Sequence, residues 1–264
     1  MLLPGTAHAA WLQAKSRHFT VYSEGSEDKL LDFAQKLEKF DFLLRRVTNV
    51  TDTAIGSPVN VYLLSNDDKV KALARNRNIA GFYTTSDRSA FAVLGRGAKT
   101  GTFDAGAEEI LFHEYTHHFM LHHFPVAYPA WYVEGFAEFF SVVKFPKDGS
   151  IEFGHLPMAR LPRLVLDSPY PVKQLFARDT NGLSLRDGDR YYGTAWLLTH
   201  YFQYKADRRQ EIFRYLNDLA TGVPDMNPDS YFAGGLEGLE KDVRAYMRRR
   251  LSISVLPPQT VAIS

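Results

Sequence analysis

The chain has 264 residues, 31 Lys and Arg against 30 Asp and Glu, a formal net charge of +1 and no cysteine. A near-neutral balance leaves no electrostatic footprint for DNA, RNA or anionic lipid, and the lack of thiols excludes disulfides, thiolate zinc sites and cysteine nucleophiles. Any metal must sit on His, Asp or Glu; no segment has the roughly 18 apolar residues of a membrane span, and the length admits one large domain or two closely joined lobes.

Residues 1–10, "MLLPGTAHAA", end in small residues with an Ala7-x-Ala9 pattern like a signal-peptidase site, without a basic start or a full apolar stretch. They are read as the tail of a signal peptide, which implies export to the periplasm or beyond. The alternative is a frayed terminus of a cytoplasmic protein. "HFTVYSE" (18–24) alternates apolar and polar residues as a half-buried strand does, and residues 26–47 follow with helical spacing behind Ser26 as N-cap. After the turn-forming "IGSP", residues 59–65 read as a second strand and 66–75 as a helix capped by Asn66. "GFYTT" and "SAFAVLG" flank "SDR" as a hairpin, so residues 11–104 read as a small α/β lobe.

From Gly106 the apolar spacing turns helical, over 106–123, 129–142, 172–178, 190–205, 207–221 and 236–250, with a short strand at "IEFGH". The expected fold is therefore α+β: the α/β lobe, then a mostly helical lobe over 105–252. Pro125 and Pro129 bracket "VAY", ending one helix and starting the next, because proline cannot donate inside a helix but suits its first turn. The uncharged tail, 253–264, either docks on the body or leads into a further segment.

The chemistry concentrates in "HEYTHHFMLHH" (113–123), which holds five of the nine histidines around one glutamate. His113 and His117 lie four residues apart, hence about 40° apart in azimuth and one turn apart in height on a helix. Both imidazoles can reach one ion, and in the HExxH arrangement Glu114 serves as general base for the attacking water. A catalytic zinc of this type takes a third protein ligand. His123 occupies the third-histidine position of HExxHxxGxxH, but Met120 stands where that pattern has its turn glycine. If the helix continues, His123 points about 240° away from His117. The other candidate is Glu134 in "WYVEGFAEFF", on a helix that a short connection returns beside the first.

At "VEGFAE" the sequence resembles the gluzincin metallopeptidases, the thermolysin and aminopeptidase N superfamily, in which HExxH is followed by a glutamate ligand in a block often reading "NEGFAE". The 16 residues between His117 and Glu134 are slightly fewer than in the aminopeptidase N pattern, a difference that falls in the connecting loop. The resemblance implies a zincin-like fold, zinc held by His113, His117 and Glu134, Glu114 as catalytic base, and an edge strand, "AFAVLG", against which a peptide substrate adds. It also implies a tyrosine on the oxyanion, and in "RYYGTAWLLTHYF" the matching residue is Tyr192, with Tyr191 as fallback. "LGRGAKTGTFDAGAEE" has nothing like the amine-binding GxMEN segment, so exopeptidase action is not implied. With "GFY" before the zinc helix and "YYGxxW" after it, the chain looks more like the compact peptidase-MA-like proteins, often exported.

Plainer roles are expected elsewhere. His118, His122 and His123 suit an exposed helix C-terminus, where imidazolium complements the dipole, and Arg248 to Arg250 suit a solvated helix end. Glu138, one turn past Glu134, either orients a zinc-bound histidine or is structural. His200, amid apolar residues, reads as a hydrogen-bonded core histidine. The sequence thus points to a zinc metallopeptidase acting on a peptide or protein. The alternative is a non-catalytic zinc-containing interaction module of the same fold.

Overall fold

The computed structural model describes residues 11–51, 57–75, 81–86, 89–95, 106–177, 181–260 and 263. The signal-peptide reading of residues 1–10, the tip of the hairpin and part of the segment compared with GxMEN lie outside them. The chain forms two compact units: one holds the sheet, its two helices and Gly106–Leu111, and the other runs over Phe112–Pro257. As expected from the patterning, the architecture is mixed α+β. No helix among the described residues is long and apolar enough to cross a membrane.

In the first unit, strands β1 (Leu12–Lys15), β2 (Phe19–Ser23), β3 (Val59–Leu64), β4 (Gly81–Ser86) and β5 (Ser89–Gly95) form one sheet in the order β1-β2-β3-β5-β4. β3 shows why the pattern was readable: Val59, Val61 and Leu63 are buried while the residues between them are half-buried, the period of a pleated strand. Helix α1 (Glu27–Thr48) packs on β1 and β2 through an apolar stripe that includes Leu30, Phe33, Leu37 and Leu44. Ser26 occupies its N-cap position but makes no side-chain cap hydrogen bond. Asn66 does cap α2 (Asp67–Ala74), accepting from Lys69 N at 3.0 Å.

One expectation is corrected. "AFAVLG" is not at the edge: β5 pairs in parallel with β3 on one side and antiparallel with β4 on the other. The hairpin that β5 closes carries β4 outward, so β4 and β1 are the outer strands. β1 itself was missed, because "LQAK" has only four residues and little β character.

The second unit is helical. Helix α3 (Ala107–His123) begins in the first unit and continues into it, followed by α4 (Ala130–Ser141), α5 (Leu161–Leu166), α6 (Val172–Ala177), α7 (Leu185–Tyr204), α8 (Ala206–Ala220) and α9 (Gly235–Met247). α4 lies along α7, with Trp131, Phe139, Trp196 and Leu197 buried in the core. α7 starts five residues earlier than the sequence suggests, because Ser184 Oγ accepts from Asp187 N at 3.1 Å and caps it. The start of the tail docks: β7 (Ser254–Leu256) pairs with β6 (Ile151–Phe153).

Candidate metal centre

α3 and α4 are joined by a compact connection in which Phe124 N donates to Met120 O and Val126 N to Phe124 O, each at 2.7 Å. Pro129 then takes the N-cap position of α4 with φ −57° and ψ 140°, an extended conformation that its ring favours. This return brings Glu134 to the face of α3 that carries His113 and His117. His113 Nε2 and His117 Nε2 are 3.0 Å apart, and Glu134 Oε2 lies 3.3 Å from each. These are the three residues that the sequence nominated.

The triangle fits a small divalent cation. Donors of a tetrahedral zinc site with bonds of about 2.0–2.1 Å lie roughly 3.3 Å apart, and a point equidistant from these three at that bond length lies slightly out of their plane. The polar bookkeeping agrees. Glu134 Oε2 is buried, its nearest polar neighbours are the two imidazole nitrogens at 3.3 Å, and no hydrogen bond of ordinary geometry reaches it among the described residues. Two imidazole nitrogens at 3.0 Å coexist only if one carries a proton or both turn lone pairs on a shared cation. Without the cation, the acid and the bases compensate one another. Burial opposes charging His113, yet Glu134, Glu138 and Glu114 raise its pKa. Burial likewise opposes ionising Glu134, and contacts with His113 and His117 hold it down at about 2.

A carboxylate and a guanidinium lie behind the first histidine. Glu138, 5 % exposed, places Oε1 3.6 Å from His113 Nδ1. That oxygen also accepts from Arg160 Nη2 at 3.0 Å and Nε at 3.3 Å, while Arg160 Nη1 donates to Asp189 Oδ1 at 2.7 Å. The Arg160 guanidinium carbon lies 4.9 Å from the centre of the Tyr192 ring, itself 6.4 Å from the His113 ring. Tyr191 is fully buried, its ring 5.7 Å from that of Tyr170 and 6.1 Å from that of Tyr192. Glu114 is half-buried on α3 beside His113.

Glycines explain how these parts approach. A Cβ on Gly135 would lie 2.4 Å from Ala195 O and 2.5 Å from Thr199 Oγ1, so only glycine lets α4 sit this close to α7. A Cβ on Gly193 would lie 2.8 Å from Leu164 Cγ, so α5 rests on α7 by the same device. Arg160 is the N-cap residue of α5.

The other nominees lie elsewhere. α3 continues through Met120, and His123 packs on Phe119 and His122 at ring separations of 4.5 and 4.8 Å, outside the group formed by His113, His117 and Glu134. His118 stacks with His122. His200 is wholly buried, hydrogen-bonded to Tyr246 Oη at 2.9 Å and Ser252 O at 3.0 Å. Burial pushes its pKa down to about 4. Sequence reasoning missed Arg160 and Asp189, whose relevance is purely tertiary.

No family model matches the chain, and no curated protein matches it. A second group of metal-type donors, His18, Glu38 and Asp41, lies in the first unit. It is already compensated: His18 Nδ1 is 2.9 Å from Glu38 Oε2, and Arg45 Nε donates to Asp41 Oδ2 at 2.6 Å. A cation there must displace an arginine from a buried carboxylate, so this group reads as an ion-pair network.

Proposed function

We propose that the protein is a zinc-dependent peptidase with His113, His117 and Glu134 as metal ligands and Glu114 as general base. The observation that carries this reading is the converging triangle of two imidazole nitrogens and one buried carboxylate oxygen. Zinc in that position supplies Lewis-acid polarisation of a carbonyl and lowers the pKa of an attacking water towards about 7. Glu114, next in sequence to a ligand, takes the proton from the attacking water and returns it to the leaving amine. Glu138 keeps the His113 ring turned towards Glu134. Tyr192, adjacent to the His113 ring, donates from its phenol to the oxyanion that develops on the substrate carbonyl.

The decisive variant is Glu114→Gln, which preserves shape and removes the base. It is expected to bind zinc as the parent does while turnover of a peptide library falls about 10²–10⁴-fold. Undiminished cleavage would exclude Glu114 as the base. A parent chain that binds zinc stoichiometrically but cleaves nothing in the library would instead favour the non-catalytic module.

A further inference from the structure

We propose that Arg160 is a positioning residue that fixes the His113 imidazole through Glu138 and seats the Tyr192 ring with the same guanidinium. The Tyr192 half rests on the peptidase reading; the His113 half concerns metal binding alone.

Glu138 Oε1 is the shared atom. It faces His113 Nδ1 at 3.6 Å and accepts two N–H groups from Arg160. A planar guanidinium gripping one oxygen with two donors fixes where that oxygen sits, which a single-point ammonium does not. A buried carboxylate that loses such a partner must swing to find another, and that movement releases the His113 ring. On its far side Arg160 donates to Asp189, three residues before Tyr192 on α7. Its carbon lies 4.9 Å from the Tyr192 ring centre, inside the roughly 6 Å reach of a cation–π contact. One side chain thus ties α4, through Glu138, to α7, through Asp189 and Tyr192. With three of its N–H groups committed to two carboxylates, Arg160 is compensated within the protein, which suits a fixing role more than capture of a substrate anion.

The test is a double-mutant cycle on zinc affinity, read by chelator competition, with Arg160→Met made in the parent and in Glu138→Gln, and thermal melting as a fold control. Arg160→Met is expected to weaken zinc binding about 10–100-fold in the parent, the range for losing a ligand's outer partner, and to add little in Glu138→Gln. Arg160→Lys, which keeps charge and bulk without the two-point grip, should fall between; it carries the test if the methionine variant does not fold. On peptide, Arg160→Met should lower kcat with little change in KM at saturating zinc. Zinc affinity unchanged in a folded Arg160 variant, or the same loss in both backgrounds, overturns the inference. A parent that cleaves nothing while the affinity cycle holds overturns the peptidase reading and leaves the positioning of His113 standing.

Discussion

Replacing Gly135 by alanine puts a methyl group where α4 and α7 touch, and its effect can be worked from the packing. The new Cβ would lie 2.4 Å from the Ala195 carbonyl oxygen and 2.5 Å from Thr199 Oγ1, while ordinary contacts begin near 3.5 Å. The helices must therefore separate by about 1 Å, because a backbone carbonyl has no rotamer to retreat into. Alanine gains about 1 kcal/mol over glycine in helix propensity. Overpacking costs about 1–3 kcal/mol, and obstruction by backbone places this site at or beyond the top of that range. The net is a loss of roughly 2 kcal/mol. Because Glu134 is the preceding residue, the same displacement moves a carboxylate whose metal-bond distance tolerates only about ±0.2 Å, so zinc affinity should fall about tenfold or more. Urea denaturation and chelator competition on Gly135→Ala check both numbers. A variant as stable as the parent, with unaltered zinc affinity, would refute the claim that this contact sets the site.

Glu134→Ala should abolish stoichiometric zinc binding and His123→Ala should leave it intact, as measured by metal analysis after dialysis; the reverse result would restore the three-histidine ligand set. Tyr192→Phe should lower kcat about 10²-fold with little change in KM, whereas Tyr191→Phe, in the core, should leave turnover unchanged; steady-state kinetics on a peptide separate the two. His200 gives a pH dependence. Its folded pKa of about 4 lies below the unfolded value near 6.5, so the neutral ring's full contribution is present above pH 6.5 and is lost as pH falls from there to 4. The loss approaches roughly 3 kcal/mol, and in denaturation curves across that window His200→Gln should lack this component.

The grouping of His113, His117 and Glu134 was legible because their relation is local. His113 and His117 are set by helical spacing alone, and Glu134 needs only one tight αα turn, which two prolines announce. Regular elements with strong periodicity, such as β3 and α1, were equally readable. Short elements were not: α5 is six residues with a proline in its first turn, too short for a 3.6-residue period to register. The true start of α7 was available in "SLRD", where Ser184 and Asp187 stand in capping register, but the double tyrosine drew the boundary later. The error over β5 has a different origin. Alternation tells which face of a strand is buried but not which neighbours flank it, and the hairpin partner β4 took the outer place. Arg160 was invisible for the same reason. Its bonds to Glu138 and Asp189 span 22 and 29 residues and depend on α5 resting against Gly193, a contact no local pattern encodes.

The most direct test of the central claim is X-ray absorption at the zinc edge of the metal-loaded protein, paired with anomalous scattering to place the ion. The expected result is one zinc per chain with two imidazole nitrogens and one carboxylate oxygen as protein ligands at about 2.0–2.1 Å, centred between His113, His117 and Glu134. An ion seated at His18, Glu38 and Asp41, or a first shell without the Glu134 carboxylate, would contradict it.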